Sequence, residues 1–145
     1  MLYIDTSVLL VYTLTQTVEK DRYPATEALF ARLTAGALSG ATSFYALHEV
    51  HVFAIDNAPD FPTGAAFGKT ALETILALPL QILPFVSRTE GRLHARRFTA
   101  LRDSSDVPHA IAASVYQCEA IVAYDDHFRA ISHLIPYKTP EDYLQ

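Results

Sequence analysis

The chain has 145 residues, half of them hydrophobic and 19% charged, a size and balance suited to one compact domain with a real core. Eleven Lys and Arg against sixteen Asp and Glu leave a formal net charge of -5, which argues against capture of nucleic acid or anionic membrane by bulk positive charge. The single cysteine, Cys118, cannot close an intrachain disulfide, and carboxylates and arginines interrupt every run before the roughly 20 apolar residues of a membrane span. Asp5 breaks the first apolar run, so no secretory signal pattern is expected and the expected compartment is a reducing cytoplasm.

Residues 2–4, Leu-Tyr-Ile, form a first short β-prone run that ends at Asp5, and a helical segment follows. A helix over 24–35 leads to a second strand at 38–42, and another over 44–55 runs into a loop at 56–64 marked by Asn57, Pro59, Asp60 and Pro62. A helix over 65–78 precedes a third strand at 80–83. Ser87 and Glu90 have capping-box spacing at the start of a helix over 87–101, and Asp106 with Pro108 opens a helix over 107–118. Strands at 120–123 and 134–137 come next, and Thr139-Pro140-Glu141-Asp142 carries the cap, first-turn proline and early acids of a last short helix. Short uncharged strands alternating with longer helices predict an α/β fold around a central, mainly parallel sheet.

Four acids stand out in that frame. Asp5 follows the first strand at its carboxyl edge, where open α/β sheets bind ligands, although the same place suits a plain helix cap. Glu49 has Tyr45, Ala46, Val52 and Phe53 three and four residues away, so it lies on an apolar helix face. There it requires an arginine, a metal, a raised pKa or an escape toward solvent. Asp106 is placed to cap its helix, with Asp103 just before it. Asp125 and Asp126 follow the strand at 120–123, where paired acids are often merely solvated. Convergence of Asp5, Glu49, Asp106 and Asp125 at one sheet edge would make a cluster whose mutual repulsion demands a divalent cation, and all-oxygen ligation favours magnesium or manganese over zinc. The six histidines are read as surface or packing residues; His48-Glu49-Val50-His51 is one residue short of the zinc-protease spacing.

Leu2-Tyr3-Ile4-Asp5-Thr6-Ser7-Val8-Leu9-Leu10, the segments 43–49, 106–113 and 121–128, and the finish at 139–144 together resemble, in order, the motifs of PIN-domain ribonucleases, in particular the toxins of VapBC-type toxin–antitoxin systems. The resemblance covers essentially the whole chain. It implies one PIN domain, a three-layer sandwich, spanning residues 1–145. It also implies metal ligation and catalysis by Asp5, Glu49, Asp106 and Asp125, supported by Thr6, Asp103 and Asp126, and magnesium-dependent hydrolysis of RNA with manganese as the substitute ion. A small cognate antitoxin and a homodimer are the implied partners. Ala123 departs from the pattern, which often has Thr or Ser there, so the hydroxyl contact of that position is lost, with Thr6 or Asp126 left to compensate.

Between Arg88 and Arg102, the five arginines 88, 92, 96, 97 and 102 face one acid, Glu90, for a local charge of +4 that leaves -9 elsewhere. Arg88, Arg92 and Arg96 recur every four residues, either as a phosphate track or as an ordinary solvated face. Two other readings stay open: a PIN-like RNA- or protein-binding module without catalysis, and a different magnesium-dependent phosphohydrolase. Against the second, there is no Gly-rich P-loop, and Asp5-Thr6-Ser7 lacks the second aspartate of an aspartyl-phosphate enzyme.

Overall fold

In a computed structural model describing residues 1–144, five parallel strands form one sheet in the order β3-β2-β1-β4-β5. The strands are β1 (Leu2–Ile4), β2 (Gly40–Ser43), β3 (Leu80–Leu83), β4 (Ala120–Val122) and β5 (Tyr137–Lys138). Helices α1 (Thr6–Thr13), α2 (Tyr23–Thr34), α3 (Phe44–Asp56) and α4 (Phe61–Leu76) precede β3, while α5 (Arg88–Ala95) and α6 (Asp106–Val115) lie between β3 and β4.

Strand alternation sorts the core into two layers. Leu2, Ile4, Ala120 and Val122 point to one face and pack with Val8, Leu9, Leu29, Phe30, Leu47, Val50 and Ile75 from α1 to α4. Tyr3, Ala41, Leu83 and Ile121 point to the other and meet Phe98, Ala110, Ile111, Phe128 and Ile131. Each fully buried large aliphatic or aromatic side chain contributes about 1.5–3 kcal/mol, so burial on both faces holds strands of only two to four residues in place. The expected three-layer α/β sandwich is therefore the observed one.

The chain leaves β1 toward β2 and β3, then crosses back to β4 on the other side of β1. That reversal opens a crevice beyond the carboxyl ends of β1 and β4, the usual ligand position in such sheets. Asp5 and Asp125 stand at its two lips, and the Asp5 backbone N–H donates to the Val122 carbonyl at 3.0 Å.

Several boundaries differ from those expected. The second strand starts at Gly40, where a Cβ would come within 2.8 Å of Leu80 Cδ2 and 3.0 Å of Leu33 Cδ2. The loop at 56–64 is mostly helix: Asp60 Oδ1 accepts the Thr63 N–H at 2.8 Å, and Pro62 sits in the first turn of α4. These residues are helix-start chemistry as much as turn chemistry. The helix expected over 87–101 keeps its Ser87–Glu90 capping box but ends at Ala95 and tightens into a 3-10 turn at Arg96–Phe98, which buries Phe98. The last strand is displaced to Tyr137–Lys138 because the Leu134 and Ile135 N–H groups still bond back to Ile131, and Pro136 has none to give. Helix α6 stops at Val115, and Gln117 adopts a left-handed φ of 52°.

Candidate functional site

Asp5, Thr6, Ser7, Leu10, Glu49, Phe53, Ser105, Asp106, His109 and Asp125 line a cleft of about 280 Å³ at the carboxyl edge of the sheet. All four acids singled out from the sequence therefore face one space, delivered by four different elements. Asp5 comes from the end of β1, Glu49 from the second turn of α3, Asp106 from the start of α6, and Asp125 from the turn after β4.

Asp5 is both a cap and a cleft residue. Its Oδ2 accepts the Ser7 backbone N–H at 2.9 Å and the Ser7 hydroxyl at 2.6 Å, which fixes the side chain and leaves Oδ1 outside the cap. Asp106 is not a cap. It is the first residue of α6, Ser105 holds the cap position without a side-chain bond, and the Asp106 carboxylate is free to face the cleft. Glu49 Oε2 accepts the Thr6 hydroxyl at 2.5 Å and His109 Nε2 at 2.7 Å. Asp125 Oδ1 accepts the His127 backbone N–H at 2.9 Å and lies 3.2 Å from His127 Nδ1.

The hydroxyl contacts to the acids are present, though not where residue 123 would have put one. Ala123 is fully buried in the core, and Ser7 and Thr6 supply hydroxyls to Asp5 and Glu49. The Ser7 hydroxyl also accepts the Tyr124 backbone N–H at 3.0 Å, tying the β1 and β4 lips together.

Two of the histidines, one packed in the core and one at the surface, also contact the cleft acids. His109, on the same face of α6 one turn after Asp106, is 2% exposed; its Nδ1 meets the Tyr3 hydroxyl at 2.8 Å and its Nε2 meets Glu49. His127 lies 3.2 Å from both Asp106 Oδ2 and Asp125 Oδ1. The missed signal was the Asp106/His109 spacing of three residues, which places both on one helix face.

Charge crowding is visible in the protonation balance. Burial and then the Asp125 charge, with Asp103 and Asp5 adding, push the Asp106 carboxyl up to about 6 despite its bond to His127. For Glu49, burial works against ionisation, but the bond and charge of His109 and the hydroxyls of Thr6 and Tyr45 outweigh it and hold the pKa below the usual value. His109 is the mirror case: burial disfavours the imidazolium, yet Glu49, Asp5 and Asp106 raise its pKa. The Asp125 charge and the Asp106 bond raise that of His127.

Among the described residues, the ion-pair partners of these cleft acids are His109 and His127, with no Lys or Arg within 4.0 Å. Ligand atoms lying within 4.8 Å of one another form two groups, Asp103-Asp106-His127 and Asp125-Asp126-His127. Asp5 and Glu49 stand outside both. An oxygen-rich donor set with uncompensated negative charge fits a divalent cation, and this acidic cluster can bind one.

The arginines divide. Arg88 and Arg92, on α5, which packs against α6, and Arg96, in the 3-10 turn after it, are exposed and make no ion pair among the described residues. Arg97 donates to the Ser114 hydroxyl at 3.1 Å. Arg102 lines a neighbouring hollow with Ala100, Asp126, His127 and Ala130, which places it beside the acidic groups.

No family model and no curated protein matches this sequence. Solved structures do. VapBC2 from Rickettsia felis, bound to a DNA fragment from its promoter, is 16% identical with a TM-score of 0.66, over 96% of this chain and 98% of that one. VapC20 from Mycobacterium tuberculosis, a sarcin-ricin loop cleaving toxin, is 15% identical with a TM-score of 0.63, over 90% and 95%. VapBC-1 from nontypeable Haemophilus influenzae is 15% identical with a TM-score of 0.62, over 97% and 99%. Along nearly its whole length, the chain has the PIN-like fold of the VapC toxins.

Proposed function

We propose that this chain is a single-domain, divalent-metal-dependent endoribonuclease, the toxin of a VapBC-type pair acting in the cytoplasm with magnesium or manganese. The carrying observation is the cleft at the sheet's switch point, lined by Asp5, Glu49, Asp106 and Asp125 with no Lys or Arg among the described residues in ion-pair reach of them. The likeness to a sarcin-ricin loop cleaving toxin supports the same reading. A bound magnesium or manganese ion would polarise a phosphodiester and lower the pKa of a water.

The protein's part is placement. Asp5, Asp106 and Glu49 would hold the ion, with Asp125 completing the site from the opposite lip and Asp103 and Asp126 at its rim. Ser7 and Thr6 donate hydroxyls to Asp5 and Glu49 and so restrain these carboxylates at the cleft wall. Arg102, next to Asp126 and His127, is placed to receive a phosphate of the RNA backbone. Arg88, Arg92, Arg96 and Arg97 extend positive charge along the chain before it. A cognate antitoxin would need to cover this cleft, and a homodimer belongs to the same reading.

Cleavage of a labelled RNA by the wild type and by Asp5→Asn, purified in parallel and assayed in magnesium and in EDTA, tests this. The expected result is EDTA-sensitive cleavage that falls roughly a hundredfold or more in the variant, the scale for losing one electrostatic stabiliser. Equal cleavage by both proteins, or cleavage indifferent to EDTA, refutes it.

A further inference from the structure

A buried polar chain runs beneath the cleft. The Ser43 hydroxyl lies 2.7 Å from the Tyr3 hydroxyl, which lies 2.8 Å from His109 Nδ1, and His109 Nε2 lies 2.7 Å from Glu49 Oε2. Tyr3, Ser43 and His109 are at most 3% exposed, so each polar atom depends on the next for satisfaction. Asp5 Oδ1, at 3.6 Å from Nδ1, is too far to replace Tyr3 as its partner.

The direction of the last bond follows from chemistry. An ionised carboxylate only accepts, so Nε2 carries the proton that faces Glu49 whether the imidazole is neutral or charged. In the neutral ring Nδ1 then accepts from Tyr3, whose oxygen accepts from Ser43. Ser43 is itself anchored as the cap of α3, its Oγ accepting the Ala46 N–H at 3.1 Å. Thr6 and His109 both donate to Oε2, and the Tyr45 hydroxyl is a further hydrogen-bond partner of the carboxylate. The chain links β1, β2, α3 and α6 to one oxygen of one acid.

We infer that His109 is a positioning residue that, braced by Tyr3 and Ser43, fixes the Glu49 carboxylate in the wall of the cleft for metal binding. This rests on the metal-dependent reading above. Outer partners of metal ligands typically account for ten- to a hundredfold in metal affinity.

The test is Mn²⁺ binding to the full chain, measured by electron paramagnetic resonance without RNA, for wild type, His109→Leu, His109→Gln, Tyr3→Phe and Asp106→Asn, with cleavage kinetics alongside. His109→Leu is expected to bind Mn²⁺ roughly ten- to a hundredfold more weakly. His109→Gln, which keeps an N–H near the Nε2 position, is expected to restore most of that, and Tyr3→Phe to fall between wild type and His109→Leu. The RNA KM should stay within about twofold across the His109 and Tyr3 variants at saturating Mn²⁺, since none of them is proposed to touch RNA.

Wild-type affinity in His109→Leu overturns the inference, as does a Gln variant as weak as the Leu variant. Should His109→Leu not fold, Tyr3→Phe and His109→Gln decide: wild-type affinity in the first, or Leu-like failure in the second, is negative. If Asp106→Asn loses Mn²⁺ while His109→Leu keeps it, only the positioning role fails. If Asp106→Asn binds as wild type does, or wild type binds no Mn²⁺, the metal-dependent reading falls and the inference with it.

Discussion

Replacing Asp106 by Asn removes one negative charge from the cleft at nearly constant side-chain size, and its cost or benefit to stability can be worked from the site. Burial and the Asp125 charge raise the Asp106 carboxyl from 3.8 to about 6. Carried in full, that rise is ~3 kcal/mol against the ionised folded state at neutral pH. The cleft is open to solvent on one side, and screening there reduces the figure to about half, ~1.5 kcal/mol. The folded pKa lies above the unfolded one, so between about pH 4 and 6 the folded state binds more protons and wild-type stability falls as pH rises. Asn has no proton to lose. In EDTA, Asp106→Asn should therefore melt roughly 5 °C above wild type at pH 7.5, with the gap closing as pH falls from 6 to 4. Calorimetry across that range measures it. Added Mn²⁺ should raise the wild-type melting temperature and leave the variant unmoved. A variant that melts lower at pH 7.5, or a gap independent of pH, refutes the claim that uncompensated charge is stored at Asp106.

Beyond the cleavage and Mn²⁺ tests, two further outcomes follow from named contacts. Arg102→Ala should weaken RNA binding and reduce the slope of log affinity against log salt by about one phosphate contact; an unchanged slope would remove Arg102 from the RNA path. A methyl at Gly64 would lie 2.7 Å from the Ile55 Cα and 2.9 Å from the Ala54 carbonyl, backbone atoms that cannot rotate away. Gly64→Ala should therefore cost about 1–3 kcal/mol by forcing α3 and α4 apart, and urea unfolding at wild-type stability would contradict it.

Much of the architecture was legible along the chain because its signals are local. The runs at 2–4, 80–83 and 120–123 are short and uncharged and match β1, β3 and β4 closely, with β1 and β4 fully buried and β3 a half-buried edge strand. The boundaries that moved did so for reasons of contact. Phe98 is drawn into the core by a 3-10 turn that cuts short a helix the local pattern would have continued, and β2 begins at Gly40, which packs closely against the Leu33 and Leu80 side chains. At 56–64, proline and aspartate are equally at home in a turn and in a helix's first turn, so composition alone could not separate them.

For the candidate site, the residue types and their places at strand ends and helix starts marked Asp5, Glu49, Asp106 and Asp125, and the resemblance of their motifs pointed the same way. That they line one cleft is a consequence of topology: β1 and β4 become neighbours only when the sheet reverses, bringing residues 5 and 125 to facing lips. The histidines show the complementary limit. The three-residue spacing from Asp106 puts His109 on the same helix face, but which groups hold its imidazole is not local, because its partners lie 106 and 60 residues away. The kinds of chemical groups were written in the order of residues, whereas their pairing, and the competition among nearby charges that pushes Asp106 up to about 6, exist only once the chain is folded.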